Sequence, residues 1–521
     1  MTTPSERPPP PSPPQPPQDS PQERAAALAG AGDRRLHPLS WLFVLIQQLK
    51  QFALPLLVLL FTGRGNTWEL WGLLGAGGLV LYSLLLYLTY RFRIEDDAIV
   101  IRSGVLQRTV RNIPFGRIHN VALHQTLLHR LAGVAEVRLE SAGGMKPEAE
   151  MRVLTLADAQ ALEAIVRGQA DAADAHSPEA GARILLRLPT PEVLRLGLIS
   201  NRGMLVVAAL FGLLAQTGEG FGTMIEGSTR MLMGWAREQH LDTVGTAVGA
   251  LALFVLAALV MQVLSVVLAL LQFHGFTLSE EGQRLGSARG LLTHMRTSLP
   301  RHRIQAWSLR ETLLHRWFGR QSLRVDPANP PIGSDDRALR DLAPVARPET
   351  VTALVRHLLP GANWPPQHWQ RLHPRAWRRQ FTLPALLTVA ASAGLAWKEG
   401  LPGLYLLLLL PVWLLRARIW ARHAGYTFES GLVAVREGWL DRRWRFAEVR
   451  KLQAVKLSRS PLDRWHGMAT LWLDTAGANA FDMPLRVRYL PLDAALALRD
   501  RLAPAMDAPP AGPATPARTP G

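Results

Sequence analysis

The 521-residue chain contains no cysteine. Disulfides, thiolate metal centres and a cysteine nucleophile are therefore excluded. The opening residues do not read as a secretory leader. Residues 1–21 hold ten prolines, Pro8 to Pro11 among them, and read as a disordered polyproline-rich arm, either a spacer or a segment that docks in a partner groove. No Walker sequence, zinc-protease helix motif or nucleophile elbow is present. Paired acids or histidines are missing from the apolar runs, so nothing points to intramembrane catalysis. These absences lead to the expectation of a non-enzymatic protein without cofactor. Acidic residues are also scarce: 41 Asp and Glu stand against 58 Lys and Arg, a net charge of +17. Such a balance suits an anionic membrane surface or nucleic acid.

The hydrophobic fraction, 48%, is ordinary for a soluble protein, but the apolar residues are concentrated in blocks. A membrane span needs about 20 of them in succession. Six blocks qualify, in pairs: Trp41–Phe61 with Trp68–Tyr90, Leu196–Thr217 with Val248–Phe273, and Phe381–Trp397 with Leu401–Leu415. Pro384, Pro402 and Pro411 interrupt the last pair. Arginines flank the blocks on the side of the long segments, as at Arg34, Arg35, Arg91, Arg93, Arg195, Arg202, Arg371, Arg375, Arg378, Arg379, Arg416, Arg418 and Arg422. The loop 218–247 instead carries Glu219, Glu226, Glu238 and Asp242 against Arg230 and Arg237. Positively charged flanks stay on the cytoplasmic face. The expectation is a multi-pass inner (plasma) membrane protein of a bacterium-like cell, with both termini and all long segments cytoplasmic.

Each pair of blocks is followed by the same pattern. Gly104, Gly290 and Gly438 correspond; Ile118, Ile304 and Leu452 stand 14 positions later, Arg130, Arg316 and Arg464 stand 26 later, and Gly133, Gly319 and Gly467 stand 29 later. Three gap-free matches mark an internal triplication. Within it, Ala98–Ile101 and Thr109–Arg111 predict a hairpin around Gly104, Arg117–Leu123 a half-buried strand, Thr126–Leu131 a helical turn capped near Gly133, and Val134–Ser141 a further strand. Leu156–Arg167, Glu349–Leu359 and Leu492–Leu502 have helical periodicity and would close the units. The copies differ: the second has two extra residues before Gly290, and Glu448 replaces Pro114 and Pro300.

Strands followed by one helix, with the segments SGVLQRTVRNIPFGRIHNV (103–121) and QTLLHRLAGVAEVRL (125–139), resemble the bacterial pleckstrin-homology-like (PH-like) domain of multi-span membrane proteins. The resemblance covers about residues 36–503 and is specific for the family rather than for an activity. It implies a membrane α-helical plus α+β protein, with three transmembrane helix pairs each followed by a PH-like antiparallel β domain with a C-terminal helix. The expected organisation is a Pro-rich arm (1–35), pair 1 (36–90), domain 1 (91–170), a linker (171–195), pair 2 (196–273), domain 2 (274–360), a basic linker (361–380), pair 3 (381–416), domain 3 (417–503) and a tail (504–521).

Several constellations invite a chemical reading. The repeat arginines Arg130, Arg316 and Arg464 complement a helix terminus and pack their stems, or meet lipid phosphate or a partner carboxylate. Of the basic runs 371–379 and 442–451, the second, with Arg442, Arg443, Arg445, Arg450 and Lys451, lies close to a span in sequence. It is the candidate contact for anionic lipid, ahead of nucleic acid. His119, His124 and His129 are spaced by five across a strand and a turn, which does not suit a metal site. Gln47, Gln48, Lys50 and Gln51 enter the first apolar block, either as an interfacial start or as an intramembrane polar site centred on Lys50. Gly72, Gly75, Gly77 and Gly78 would allow close helix contact. Two functions follow. One is a binding or assembly scaffold at the membrane surface, contacting lipids and a protein partner such as another member of the same family. The other is a component of a transport or export system with a polar path through six helices.

Overall fold

The computed structural model describes residues 32–46, 68–95, 97–104, 107–141, 149–173, 183–214, 243–328, 340–476 and 484–506, with isolated positions between 226 and 234. It divides into two compact units, Met1–Pro178 and Glu179–Gly521. The first unit holds one copy of the repeat and the second holds two.

In the first unit, helical residues 40–46 follow strand β1 (Arg34–Arg35), and helix α1 (Trp68–Thr89) leads into β2 (Arg91–Ile94), β3 (Ala98–Ser103) and β4 (Thr109–Pro114). These four strands form an antiparallel sheet in the order β1-β2-β3-β4. β5 (Ile118–Gln125), the short helix α2 (Leu127–Leu131), β6 (Val134–Ser141), β7 (Ala149–Thr155) and α3 (Leu156–Ala173) complete the copy. β5, β6 and β7 pair antiparallel in that order. Ile99, Phe115, Leu139, Met151 and Leu162 are buried in one core shared by both sheets and α3. Burial at alternate strand positions, with one apolar face on a helix, is what the period of two dictates.

The second unit opens with β8 (Arg183–Arg187), α4 (Thr190–Ile199), α5 (Arg202–Leu214) and α6 (Thr243–Phe273). Its first copy then runs through β9 (Thr277–Glu281), β10 (Arg284–Arg289), β11 (His294–Pro300), β12 (Ile304–Glu311), α7 (Leu313–Trp317), β13 (Gln321–Pro327), β14 (Asp341–Ala346) and α8 (Pro348–Leu358). The last copy follows: β15 (Gln370–Arg371), α9 (Ala376–Glu399), a 3-10 run (Leu401–Leu408), α10 (Leu409–His423), β16 (Gly425–Glu429), β17 (Leu432–Glu437), β18 (Arg442–Glu448), β19 (Leu452–Ser458), α11 (Pro461–Trp465), β20 (Met468–Thr475), β21 (Arg486–Pro491) and α12 (Leu492–Met506).

The three strands β12–β14 of the second copy do not stand alone. β12 pairs antiparallel with β18, and the result is one seven-stranded sheet, β14-β13-β12-β18-β17-β16-β15. β19-β20-β21 forms a separate sheet with β19 at its edge among the described residues.

The repeat residues explain themselves in backbone terms. Gly104, Gly290 and Gly438 have φ of +115°, +111° and +87°, and a Cβ there would lie 1.9, 1.9 and 2.0 Å from the carbonyl oxygens of Gln107, Thr293 and Asp441. Only glycine fits such a turn. Ile118, Ile304 and Leu452 are buried at the start of β5, β12 and β19, and each is followed by the same register irregularity. Gly133, Gly319 and Gly467, at φ +65°, +59° and +68°, end the short helices in the left-handed position that favours glycine.

Three helices among the described residues are long and apolar enough to cross a membrane: Ala247–Phe273, Ala376–Glu399 and Leu401–His423. They coincide with the expected fourth, fifth and sixth blocks, and the last two extend beyond the predicted ends. α1 occupies the second block. The third block differs from expectation. Its apolar run from Leu196 is broken where Ser200 adopts an extended backbone (φ −86°, ψ 142°). α4 before the break buries Val193, Leu196 and Ile199 in the core of the second copy, so these residues serve the domain. Residues 47–67 and 215–217 lie outside the described residues, and with them most of the first block.

The contact expected at Gly72, Gly75, Gly77 and Gly78 falls beside the first block, most of which lies outside the described residues. Gly75, Gly77 and Gly78 have open space around the Cβ position among the described residues. Close helix approaches among the described residues occur in the second unit. A Cβ on Gly197 would meet Val266 Cα at 2.6 Å, one on Gly203 would meet Met261 O at 2.2 Å, and one on Gly403 would meet Ala396 N at 2.2 Å. Small residues let backbones approach, and polar side chains then reach across. Gln262 donates to the carbonyls of Gly197 and Leu198 at 3.1 and 3.0 Å, Ser265 donates to Gly197 O at 3.0 Å, and Ser392 donates to Gly403 O at 2.9 Å.

Candidate functional site

Each copy presents two features at the end from which its spanning helices leave. The first is the short helix carrying the repeat arginine. Five residues form no stable helix alone, so capping matters. Thr126, Thr312 and Ser460 are the N-caps, and their hydroxyls accept from the backbone N–H three residues on. The residue at that third position returns a contact: His129 Nδ1 lies 2.6 Å from Thr126 Oγ1, His315 Nδ1 lies 2.8 Å from Thr312 Oγ1, and Asp463 Oδ2 accepts from Ser460 N at 2.9 Å. In the second and third copies this is the reciprocal capping box, the N–H of Thr312 also donating to His315 Nδ1 at 3.4 Å; in the first copy the returned contact is to the Thr126 hydroxyl, and all three residues are buried. His129, weighed as a metal ligand, is therefore a capping residue, and His124 is buried at 4% exposure in β5. Among the described residues no group of three or more His, Asp or Glu side chains assembles to hold a metal.

The same position anchors the short helix to the helices that precede it. His129 stacks on Phe43 with ring centroids 4.0 Å apart. Arg379, in the first turn of α9, donates to Asp463 Oδ1 at 2.9 Å. In the second copy the anchor shifts to Arg320, just past Gly319, which donates to both carboxylate oxygens of Glu192 in α4 at 2.8 and 2.7 Å. A bidentate guanidinium–carboxylate pair fixes orientation as well as distance.

Burial sets the charge of these groups. It pushes His315 down to about 4, and Arg310 nearby adds to the effect. Burial alone would raise the Asp463 carboxyl, but the Ser460 hydroxyl and N–H and the Arg379 guanidinium outweigh it and hold it below the ordinary value. His315 is thus neutral in the fold at neutral pH and ionises readily only when unfolded. Its contribution is fully present above its ordinary value of about 6.5 and is lost as pH falls from there through about 4, a cost of roughly 2 kcal/mol after solvent screening. Thermal unfolding of the full chain against pH, compared with His315→Asn, will show this loss in the native protein and a flatter profile in the variant.

The second feature is the hairpin turn after the first repeat glycine. In the second copy the N–H of Gly290 donates to His274 O at 2.9 Å, and that of Leu291 to Leu271 O at 3.0 Å. The turn is thereby tied to the last turn of α6. The fully buried Arg289 guanidinium lies 4.7 Å from the Phe273 ring centroid and 3.5 Å from Asp341, while Arg202 lies 4.5 Å from the same ring. Cations over an aromatic face join the base of the helices to the domain core.

The candidate lipid-contact residues are placed otherwise than the sequence suggested. β18 starts at the hairpin turn and runs away from the spanning helices, so Arg450 and Lys451 lie about 20 Å beyond Arg442. Arg442 pairs with Glu311 at 3.4 Å, Arg443 Nε with Asp441 at 2.9 Å, and Arg445 with Asp326 at 2.6 Å; Arg450 pairs with Glu448, and Lys451 donates to His302 O. Arg442, Arg445 and Lys451 thus reach across to the second copy, while Arg443 and Arg450 pair within their own. Trp307 and Phe446, opposite each other in β12 and β18, stack with centroids 6.1 Å apart, and Trp364 lies 4.0 Å from Phe446. Phe446 is fully buried. Of the repeat arginines, Arg130 and Arg464 are exposed. Arg316 is half-buried, with Nε and Nη2 lacking a hydrogen-bond partner among the described residues. Lys50 lies outside the described residues. The partners Asp326, Glu311 and Trp364 carried no local signal. The large apolar residue after each repeat arginine was legible in principle, since it recurs at one offset.

The model of the bacterial PH domain family matches the chain three times, at residues 43–170, 240–359 and 382–506. The UPF0699 transmembrane protein YdbT of Bacillus subtilis is 21% identical over 455 residues, covering 82% of this chain and 89% of its own length. No solved structure matches. Three matches that together span most of the chain, on three copies of one antiparallel fold beside apolar helices, show that this transmembrane protein belongs to the bacterial PH domain family.

Proposed function

We propose that the protein is a non-enzymatic scaffold of the bacterial inner membrane, anchored by three helix pairs, with three PH-like domains on the cytoplasmic face. The observation that supports it most is the β12–β18 joint. The second and third domains are fused edge to edge, with aromatic stacking and ion pairs along the seam. Strand addition at a sheet edge gives affinity through backbone hydrogen bonds and specificity through side chains. The edge of β19, equivalent to that of β12, offers the same kind of surface to a domain of another chain, and another member of the family is the partner of matching chemistry. Arginines at the ends of the apolar blocks support the cytoplasmic orientation.

Crosslinking in native membranes followed by mass spectrometry tests the reading. Links from residues 452–458 to a second protein are expected; a chain that links only to itself would overturn the scaffold. The transport alternative rests on Lys50. A flux abolished by Lys50→Leu at unchanged expression would favour it.

A further inference from the structure

The residue after each repeat arginine is Leu131, Trp317 or Trp465, and it is 85%, 83% or 79% exposed. One such side chain on a soluble surface is unremarkable. The same exposure recurs at the same offset in three copies, on a helix fastened each time to the preceding helices through Phe43, Glu192 or Arg379.

The hairpin turns add a second apolar tip at the same end. Leu291 and Leu292 are 38% and 42% exposed on the turn that hydrogen-bonds to the last turn of α6. Trp439 and Leu440, their counterparts, are 40% and 49% exposed. Within the second unit, the β12–β18 register sets the short helix of one copy beside the hairpin turn of the next. Glu311 opposes Arg442, and Arg310 clasps Asp441 in the turn itself at 2.9 and 3.0 Å. Trp317 and Leu440 thus lie at the same end of the joint. Around α9 and α10, Arg378 and Arg418 lie over the Trp377 ring at 5.4 and 4.9 Å. Tryptophan with arginine is the composition of a membrane–water interface, and the exposed Arg130 and Arg464 suit anionic headgroups.

We propose that these tips lie in the headgroup layer of the bilayer that the neighbouring helices cross, so that the end of each domain is held against the membrane by an apolar anchor. The anchor rests on the reading that the helix pairs span the membrane. The test must therefore tell the two apart.

The absence of native cysteine makes single-site labelling direct. Leu131→Cys, Trp317→Cys, Leu440→Cys and Trp465→Cys, each in the full chain, would be spin-labelled and reconstituted in vesicles of phosphatidylethanolamine and phosphatidylglycerol. Power saturation with oxygen and with a water-soluble nickel chelate then reads depth. Phe254→Cys, 71% exposed within α6, reports the lipid core. Gln283→Cys, on the exposed turn at the far end of β9, reports water. The oxygen-to-chelate accessibility ratio at the four tips is expected to fall between the two references and several-fold above that of Gln283→Cys. Tips that match Gln283→Cys while Phe254→Cys remains in lipid overturn the anchor alone. Protection from both reagents means that protein covers the tips and overturns it as well. An aqueous Phe254→Cys would instead sink the spanning reading.

Discussion

Phe446→Ala will pull the second and third domains apart at a cost of about 3–5 kcal/mol. Phe446 is fully buried, lies 4.0 Å from Trp364 and faces Trp307 across the joint. Truncation removes a large buried area and leaves a cavity between two aromatic rings that cannot both collapse into it. Because the core of the second domain includes Phe446 itself, the damage crosses the joint. Hydrogen exchange will show it as faster exchange in β12 and β18 together, with β2 and β3 unchanged. The equivalent position in the first domain is Asn112, which is exposed, and Asn112→Ala is expected to cost no more than about 0.5 kcal/mol. Retained protection of β12 and β18 in Phe446→Ala would mean that the seam is held by backbone pairing alone.

The second large effect is expected at Gly290→Ala. A Cβ there would stand 1.9 Å from the backbone oxygen of Thr293, with φ at +111°. The atoms it would meet, in Thr293 and His294, are all backbone, so the turn itself must open, at about 3 kcal/mol or more. The N–H of Gly290 is also the group that ties the turn to His274. The substitution therefore loosens the domain from α6 as well as straining the hairpin. The measurement is the thermal midpoint of the reconstituted chain together with proteolysis near residue 290. Gly282→Ala is the control. It has φ +55° but no atom within 4 Å of its Cβ position, and it should lower the midpoint less. Equal losses would assign the effect to the dihedral alone and remove the steric argument.

What was legible in the sequence was local. The hairpin around Gly104 and the helical turn before Gly133 follow from backbone conformations that only a few residue types adopt. The apolar blocks follow from composition, and the triplication follows from spacing. Departures arose where a local signal had two outlets. The apolar run from Leu196 is as compatible with a domain core as with lipid, and α4 takes the core because β14 and α6 offer it a dry face. The run 442–451 reads as a free basic patch until its partners appear. Those partners, Glu311 and Asp326, are 131 and 119 positions away, and nothing in the run's own composition indicates them.

The sequence by itself determined three copies of one module, the glycines that shape each, and the existence of membrane-length apolar helices, because φ restrictions, periodicity and hydropathy are properties of neighbouring residues. The tertiary structure alone decided that β12 joins β18, which charges are spent across that seam, and that the residue after each repeat arginine faces outward. Strand pairing between distant edges is selected by register and packing, and those terms come into being only when the edges meet.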